Sequence, residues 1–163
     1  AANGAVMRCA CAAILRFWDE EIVMWNAVSA ASVTHADPRC LASCAALVWI
    51  AARVLQGIDV STLERRQDEV FLSAAKAETF LEGGNVEELM RHMNMAAGGL
   101  EDLCLGSGGI GYTYKPLAAA CWAFMHADNF KDAIQAITME AGDADSNATV
   151  AGALLGVRLG YSQ

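Results

Sequence analysis

The stretch from Cys40 to Leu55 constrains the fold most strongly, because apolar residues occupy nearly every position in it. Asp37 and Pro38 come just before it, as a cap residue and a first helical residue would, and Gly57 follows it. A helix that is apolar around its whole circumference has to be covered by other parts of the chain. The sequence therefore predicts one central helix between Pro38 and Gly57, with the other elements packed around it.

The rest of the chain also favours helices. Of its 163 residues only 2 are Pro, 55% are hydrophobic and 18% are charged, a composition that suits an ordered and largely helical chain. Apolar and polar residues nowhere alternate for more than a few positions, as they would in a half-buried strand. A chain of this length suits a single core. We expect an all-α fold, a compact multi-helix bundle that forms one domain over residues 1–163.

Local sequence patterns give further predictions about individual helices. Residues 7–17 are apolar and rich in Ala, and they predict one largely buried helix. A second helix is predicted after Asp19, with Glu20 and Glu21 in its first turn, where the helix dipole favours anions. The helical spacing of Ile22 and Trp25 predicts that these two side chains face the core. Further along the chain, the pair Gly83–Gly84 is expected to end a more polar helix.

Charge and hydropathy argue against several classes of partner. The formal net charge is −8, whereas nucleic acids and anionic membranes bind surfaces rich in Lys and Arg, so we expect neither as the main partner. The best candidate for a membrane helix, Leu41–Ala52, is too short and is followed by Arg53, and no signal-peptide pattern is present. The six cysteines lack the spacing of a zinc site, which favours buried thiols and a cytoplasmic location.

The stretch "MEAGDADSNATVAGALLG", residues 139–156, concentrates oxygen-bearing side chains at the start of a helix. Asp143, Asp145 and Ser146 fall within four positions, and one interpretation is ordinary capping, because Asp and Ser are common caps. The other interpretation is metal binding, because two carboxylates and a hydroxyl suit Mg²⁺ or Mn²⁺ better than zinc. The small residues that follow predict a closely packed helix, which would hold such ligands rigidly.

Three further motifs have an ordinary structural explanation beside a functional one. Asn3-Gly4 predicts a turn before a helix whose N-terminus could receive a phosphate, but such turns are common. His35 either lines a pocket for a polar ligand or has a structural role near a helix end. The loop "GSGGIGYTY" is either a flexible connection or a backbone that approaches a ligand, with Tyr112 or Tyr114 stacking on a base.

Taken in this order, the stretches "NGAVMR", "VTHADPRC", "GYTYKPLAAACWAF" and "GDADSNATVAGALLG" resemble the ADP-ribosylglycohydrolase family. The resemblance extends over nearly the whole chain and is loosest between Gly57 and Ser107. It implies an all-α fold whose central cleft holds two divalent ions, usually magnesium. It also implies an activity, the hydrolytic removal of ADP-ribose from modified proteins or from small ADP-ribosyl compounds.

The resemblance assigns roles to nine residues. Asp143, Asp145 and Ser146 match the C-terminal metal ligands, with Ser at a position where the family often has Thr. The remaining six match substrate-binding positions. They are Asn3, Gly4 and Met7 near the distal ribose and phosphates, His35 in the pocket, and Gly111 and Tyr112 in the loop that approaches the nucleotide.

The sequence departs from the family pattern in one respect. The family carries a Thr-Asp-Asp run and an acidic residue upstream of the Asn-Gly turn, and neither occurs in these 163 residues. We therefore expect an incomplete domain, the C-terminal portion of the family domain, with about half a metal site and an unknown catalytic acid or base.

This departure leaves three interpretations open. In the first, a missing N-terminal segment or a second chain completes a hydrolase, and the chain alone has little or no activity because three ligands hold Mg²⁺ weakly. In the second, the protein is a non-catalytic ADP-ribose-binding or structural protein that has kept the fold. In the third, it is an unrelated helical bundle in which the oxygen-rich stretch is a fortuitous cap.

Overall fold

A computed structural model describes residues 1–81 and 85–160, and these ranges contain eight α-helices and no β-strand. The α-helices are α1 (Val6–Cys9), α2 (Glu20–Ser32), α3 (Pro38–Leu55), α4 (Leu63–Ala77), α5 (Asn85–Ala97), α6 (Tyr114–His126), α7 (Phe130–Met139) and α8 (Ala144–Leu159). Short 3₁₀ helices span Ala10–Ala13, Glu78–Phe80 and Glu101–Leu103. The predicted all-α fold is confirmed.

Helix α3 is the centre of the fold, as its sequence predicts. Asp37 caps it by accepting a hydrogen bond from the backbone N–H of Arg39 at 3.0 Å. All residues from 42 to 52 are buried, and α2, α4, α6 and α8 all contact this helix. Burying a side chain as large as Leu47 or Ile50 contributes about 1.5–3 kcal/mol. Helix α3 therefore supplies a large part of the hydrophobic stabilisation of the core.

One helix in the described ranges, α3, is long and apolar enough to cross a membrane by length and composition alone. Its 18 residues have a mean hydropathy of 1.4, and 67% of them are buried inside the fold. The core helix of a globular protein has the same length and composition. The burial of α3 on all sides is that of a core helix.

Helices α6 and α8 pack against each other beside α3. The small residues of α8 allow its other neighbour, α7, to approach closely, as the sequence predicts. A Cβ atom on Gly152 would lie 3.5 Å from the side chains of both Phe130 and Ile134, an ordinary van der Waals distance, so these two α7 side chains pack directly over the glycine. This packing fixes the direction of α8 and with it the start of the helix.

Residues 7–17 do not form the single buried helix that their composition predicts. Helix α1 has only four residues, and after a 3₁₀ turn the chain reverses with Arg16 in the left-handed conformation at a φ of 57°. The reversal leaves Ile14 and Leu15 each 66% exposed. It also brings Arg16 within 3.0 Å of the Asp19 carboxylate, at the point where Asp19 caps α2. The prediction was wrong because composition alone does not reveal the reversal.

The predicted core face of α2 is also wrong. The buried residues of α2 are Val23, Ala27 and Ala31, whereas Trp25 is 69% exposed. Small side chains on the buried face allow α2 to pack closely against α3, and an indole ring would hold the two helices apart. Apolar residues occur on two faces of this helix, and their spacing does not distinguish the faces. The helix end predicted at Gly83–Gly84 lies outside the described residues.

Candidate functional site

The first residues of the chain lie beside the end of the Gly-rich loop. The backbone N–H of Asn3 donates to the carbonyl of Gly111 at 3.0 Å, and the N–H of Thr113 donates to the carbonyl of Ala1 at 3.2 Å. These contacts, with an isolated antiparallel bridge between Ala2 and Tyr112, tie the two segments together. Two motifs that are separated by more than a hundred residues in sequence therefore form one surface.

The Asn3 side chain connects this surface to the start of α8. Its Nδ2 donates to Oδ2 of Asp143 at 2.6 Å, and Asn3 itself is only 7% exposed. The pKa of the Asp143 carboxyl lies below its ordinary value, mainly because of this hydrogen bond, with smaller contributions from Ser146 and Asp145 and against the opposing effect of burial. Asp143 is therefore held as an oriented carboxylate.

Asp143 does not cap α8 with its side chain, although it occupies the cap position. At the starts of α2, α3, α4 and α7, the cap side chain accepts a hydrogen bond from a backbone N–H, as caps usually do. Asp143 makes no such bond and turns towards Asn3 instead. Capping therefore does not account for the carboxylate at this position.

Ser146 and Asp145 have different surroundings from each other. Ser146 is 3% exposed, and its hydroxyl donates to the sulfur of Met7 at 3.2 Å. The same hydroxyl contributes to the lowered pKa of Asp143, so it faces two acceptors, the sulfur of Met7 and the Asp143 carboxylate. Asp145 is exposed to solvent. The start of α8 thus combines one oriented carboxylate, one buried hydroxyl and one exposed carboxylate.

His35 lies directly against Gly4. A Cβ atom on Gly4 would be 3.1 Å from Cε1 and 3.3 Å from Nε2 of the imidazole ring, so any side chain at this position would push the ring away by a few tenths of an ångström. On its other side, Nδ1 of His35 lies 2.7 Å from the Thr34 hydroxyl, which accepts a hydrogen bond from Arg8 at 2.6 Å. The ring is therefore held between the Asn3-Gly4 turn and Thr34.

Tyr112 lines a shallow pocket of about 290 Å³ that is open to solvent, together with Ala1, Ala2, Gly109 and Gly111. Burial raises the pKa of Tyr112 to about 12, so its hydroxyl stays protonated at neutral pH.

The Tyr112 ring also packs on protein side chains. It makes an edge-to-face contact with Tyr114 at 5.4 Å between centroids, and the guanidinium carbon of Arg39 lies 5.8 Å from its centroid. The ring of His92 is tilted against both tyrosines. Tyr112 is therefore held in a fixed orientation by its neighbours.

Seven of the nine residues singled out in the sequence thus form connected contacts around one short segment, Asn3–Met7. Asn3 contacts Asp143 and the carbonyl of Gly111, Gly4 contacts His35, and Met7 contacts Ser146. Over its whole length, residues 1–163, the sequence matches the family described as ADP-ribosylglycohydrolase. The chain belongs to this family. The resemblance identified from the four motifs is confirmed.

Two bacterial proteins are similar in sequence to this chain over nearly its whole length. An ADP-ribosylarginine hydrolase Tri1 from Pseudomonas putida (strain GB-1) is 28% identical over 166 residues, which cover 99% of this chain and 39% of the relative. An ADP-ribosylarginine hydrolase Tri1 from Serratia proteamaculans (strain 568) is 28% identical over 162 residues, which cover 99% of this chain and 40% of the relative. The chain thus spans about two fifths of the length of these relatives. No solved structure matches it significantly.

The donors at the start of α8 fit the divalent ion that the family implies. Two carboxylates and a hydroxyl are the hard oxygen ligands that Mg²⁺ prefers. Six ligand positions surround Mg²⁺, and these three side chains fill at most half of them. Within residues 1–81 and 85–160, no group of three or more His, Cys, Asp or Glu side chains is arranged to hold a metal ion. These three side chains thus match Mg²⁺ in ligand chemistry and leave at least half of its six positions to other ligands.

The sequence analysis did not identify the residues that hold the side chains of the candidate site in place. Arg8 and Thr34 hold His35, and Arg39 packs over Tyr112. Arg8, Thr34 and Arg39 all lie inside motifs that carry the resemblance. Their place in these motifs could have identified them from the sequence. Lys115 was also missed, although a lysine in the otherwise apolar start of α6 is unusual enough to notice.

Proposed function

We propose that this chain is the ADP-ribose-binding and C-terminal metal-ligand part of an ADP-ribosyl hydrolase. The observation that supports the proposal best is the hydrogen bond between Asn3 and Asp143. It joins the turn proposed for the ribose and phosphates to the carboxylate proposed for the metal, in a chain that belongs to the family. Such a junction is what a nucleotide-sugar site beside a metal requires.

In this proposal, Asp143, Asp145 and Ser146 hold Mg²⁺, with Mn²⁺ as a substitute, in a site that contains two ions when complete. The ions would orient the ribose hydroxyls and activate water for attack on the glycosidic carbon. The contribution of the chain itself is positioning. Asn3 keeps Asp143 ionised and oriented, and the hydroxyl of Ser146 is fixed by Met7.

The remaining residues are proposed to shape the ADP-ribose pocket. Gly4 leaves space for His35, whose ring is fixed by Thr34 and can donate or accept one hydrogen bond to a ribose or phosphate oxygen. Gly111 brings the loop backbone up to Asp143, because a Cβ atom on Gly111 would lie 4.0 Å from the Asp143 carboxylate. Tyr112 lines the neighbouring pocket, where the adenine end of the ligand is proposed to lie.

The substrate is proposed to be a protein that carries ADP-ribose on arginine. The support is the name of the two relatives, both ADP-ribosylarginine hydrolases. Small ADP-ribosyl compounds share the same ADP-ribose group, so they remain the alternative substrate class.

We further propose that the 163-residue chain alone has little or no hydrolase activity. Its three ligands leave Mg²⁺ with at least half of its coordination positions unfilled by protein. The remaining ligands and the group that transfers the proton would then come from a further segment or a second chain. An assay on arginine-ADP-ribosylated protein with Mg²⁺ tests this statement. Turnover as fast as that of a full-length relative would refute it.

Isothermal titration calorimetry with ADP-ribose, with and without Mg²⁺, tests the proposed function. We expect binding that strengthens with Mg²⁺ and loses this dependence in Asp143→Asn, because the variant removes a charged ligand. The matched control is Asp68→Asn, which changes an exposed aspartate on α4 and should bind as the wild type does.

Two other outcomes would contradict the proposal. Binding of ADP-ribose that does not depend on Mg²⁺ would favour a non-catalytic ADP-ribose-binding protein over a hydrolase. Absence of ADP-ribose binding under both conditions would leave a structural role for the fold.

A further inference from the structure

Lys115 is a buried lysine at the second position of α6, and its ammonium group binds backbone carbonyls. It is 8% exposed, and Nζ donates to the carbonyl of Cys104 at 2.7 Å, to that of Leu105 at 3.4 Å, and to that of Ser107. An ammonium group has three N–H bonds, so the three carbonyls use all of its donors. The lysine is therefore bonded entirely to one short backbone segment, residues 104–107.

This segment is in direct backbone contact with the turn that leads into α8. A Cβ atom on Gly142 would lie 2.2 Å from the carbonyl oxygen of Leu105, and a Cβ atom on Gly106 would lie 2.7 Å from the carbonyl oxygen of Glu140. Both positions therefore exclude any side chain. The turn at residues 140–142 ends at Asp143, so the segment that Lys115 holds is the surface on which the proposed metal-ligand turn rests.

The same segment also begins the Gly-rich loop. After Ser107 the loop continues to Gly111, whose carbonyl accepts the hydrogen bond from the backbone of Asn3. Tyr112 follows immediately. Residues 104–107 thus lie between the loop that carries Gly111 and the turn that carries Asp143.

We infer that Lys115 is a positioning residue, which fixes the Gly-rich loop and the turn before Asp143 relative to each other. Without the ammonium group, the carbonyls of Leu105 and Ser107 lose this donor, and that of Cys104 keeps only its bonds from the N–H and hydroxyl of Ser107. The glycine-rich segments on both sides have large intrinsic backbone freedom. Ligand binding would then have to order both segments, and this cost weakens affinity.

Hydrogen–deuterium exchange of the whole chain tests the inference directly. We expect Lys115→Met to exchange faster than the wild type in residues 104–112 and 140–146, and to leave the amides of α3 unchanged. Lys115→Arg should restore part of the protection in both segments, because its guanidinium keeps the charge and several donors. The matched control is Lys131→Met, which changes an exposed lysine on α7 and should not alter exchange.

Two exchange results would overturn the inference. One is a Lys115→Met variant whose residues 104–112 and 140–146 exchange as in the wild type. The other is a uniform loss of protection that includes α3, which would show a general stabilising role. If Lys115→Met does not fold, hydrogen–deuterium exchange of Lys115→Arg tests the inference in its place. Its bulkier planar head cannot reproduce all three bonds, so exchange should rise in the two segments alone.

Ligand affinity tests the functional part, which rests on the proposed function. We expect Lys115→Met to bind ADP-ribose about tenfold more weakly, with Lys115→Arg in between and Lys131→Met unchanged. If Lys115→Met exchanges faster in residues 104–112 and 140–146 but binds ADP-ribose with wild-type affinity, the positioning role is overturned. If the wild type does not bind ADP-ribose, the proposed function fails, and the exchange data still judge Lys115 by themselves.

Discussion

Asn3 and Asp143 are 140 positions apart in the sequence, and the hydrogen bond between them joins the two halves of the site. Each residue could be singled out from its own short motif, as an Asn-Gly turn and as an oxygen-rich helix start. Their contact could not be predicted from those motifs, because it depends on how α1 and α8 pack in the finished fold. The same holds for Gly4 against His35.

A substitution at Asn3 tests the electrostatic part of this contact. Asn3→Ala removes the main cause of the lowered pKa of Asp143, so the pKa should rise towards its ordinary value. A carboxyl whose pKa is lower in the folded state stabilises the fold above its unfolded pKa of about 3.9 and loses this effect as pH falls through the folded pKa. We expect Asn3→Ala to cost about 1 kcal/mol at pH 7, and less at pH 3.

Denaturant unfolding at pH 7 and pH 3, together with an NMR titration of the Asp143 carboxyl, measures both effects. Asn94→Ala is the control, because Asn94 is exposed on α5 and should change stability by less than about 0.5 kcal/mol at either pH. An equal cost of Asn3→Ala at pH 7 and pH 3 would show that the charge of Asp143 plays no part in the contact.

At the scale of elements, the sequence was most informative where a helix is uniform. Helix α3 is apolar on every side, so its central position followed from composition alone. The close packing of α8 followed in the same way from its small residues. In α2 the apolar residues occupy two faces, and the buried face was decided by how closely Ala27 and Ala31 pack, not by hydrophobicity.

Residues 7–17 show a different kind of failure. Their composition favours a helix throughout, yet Arg16 adopts a left-handed conformation that no helix-favouring pattern predicts. The reversal serves α2, because it delivers Asp19 to the cap position. The tertiary connection between α1 and α2 therefore overrides the local helix preference of residues 7–17. Lys115 was missed for a similar reason, since its partners are backbone carbonyls that leave no trace in the sequence.

At the scale of the whole molecule, the fold brings a short N-terminal segment, a Gly-rich loop and the start of α8 to one surface. The chemistry proposed for this surface rests on residue types, because carboxylates, a hydroxyl and a Gly-rich backbone each suit one part of a nucleotide sugar or its metal. The chain covers 39% and 40% of the length of its two relatives, and its three oxygen ligands fill at most half of the six positions around Mg²⁺.

The central claim is that the start of α8, the Asn3-Gly4 turn and the Gly-rich loop form one cation and ADP-ribose site. Manganese titration followed by NMR tests it most directly, because bound Mn²⁺ broadens only the amide signals of nearby residues. The account predicts selective broadening at residues 3–4, 111–112 and 143–146, reversed by excess Mg²⁺ and absent in Asp143→Asn. Broadening centred on another acidic part of the surface, or none above that of the Asp143→Asn variant, would contradict it.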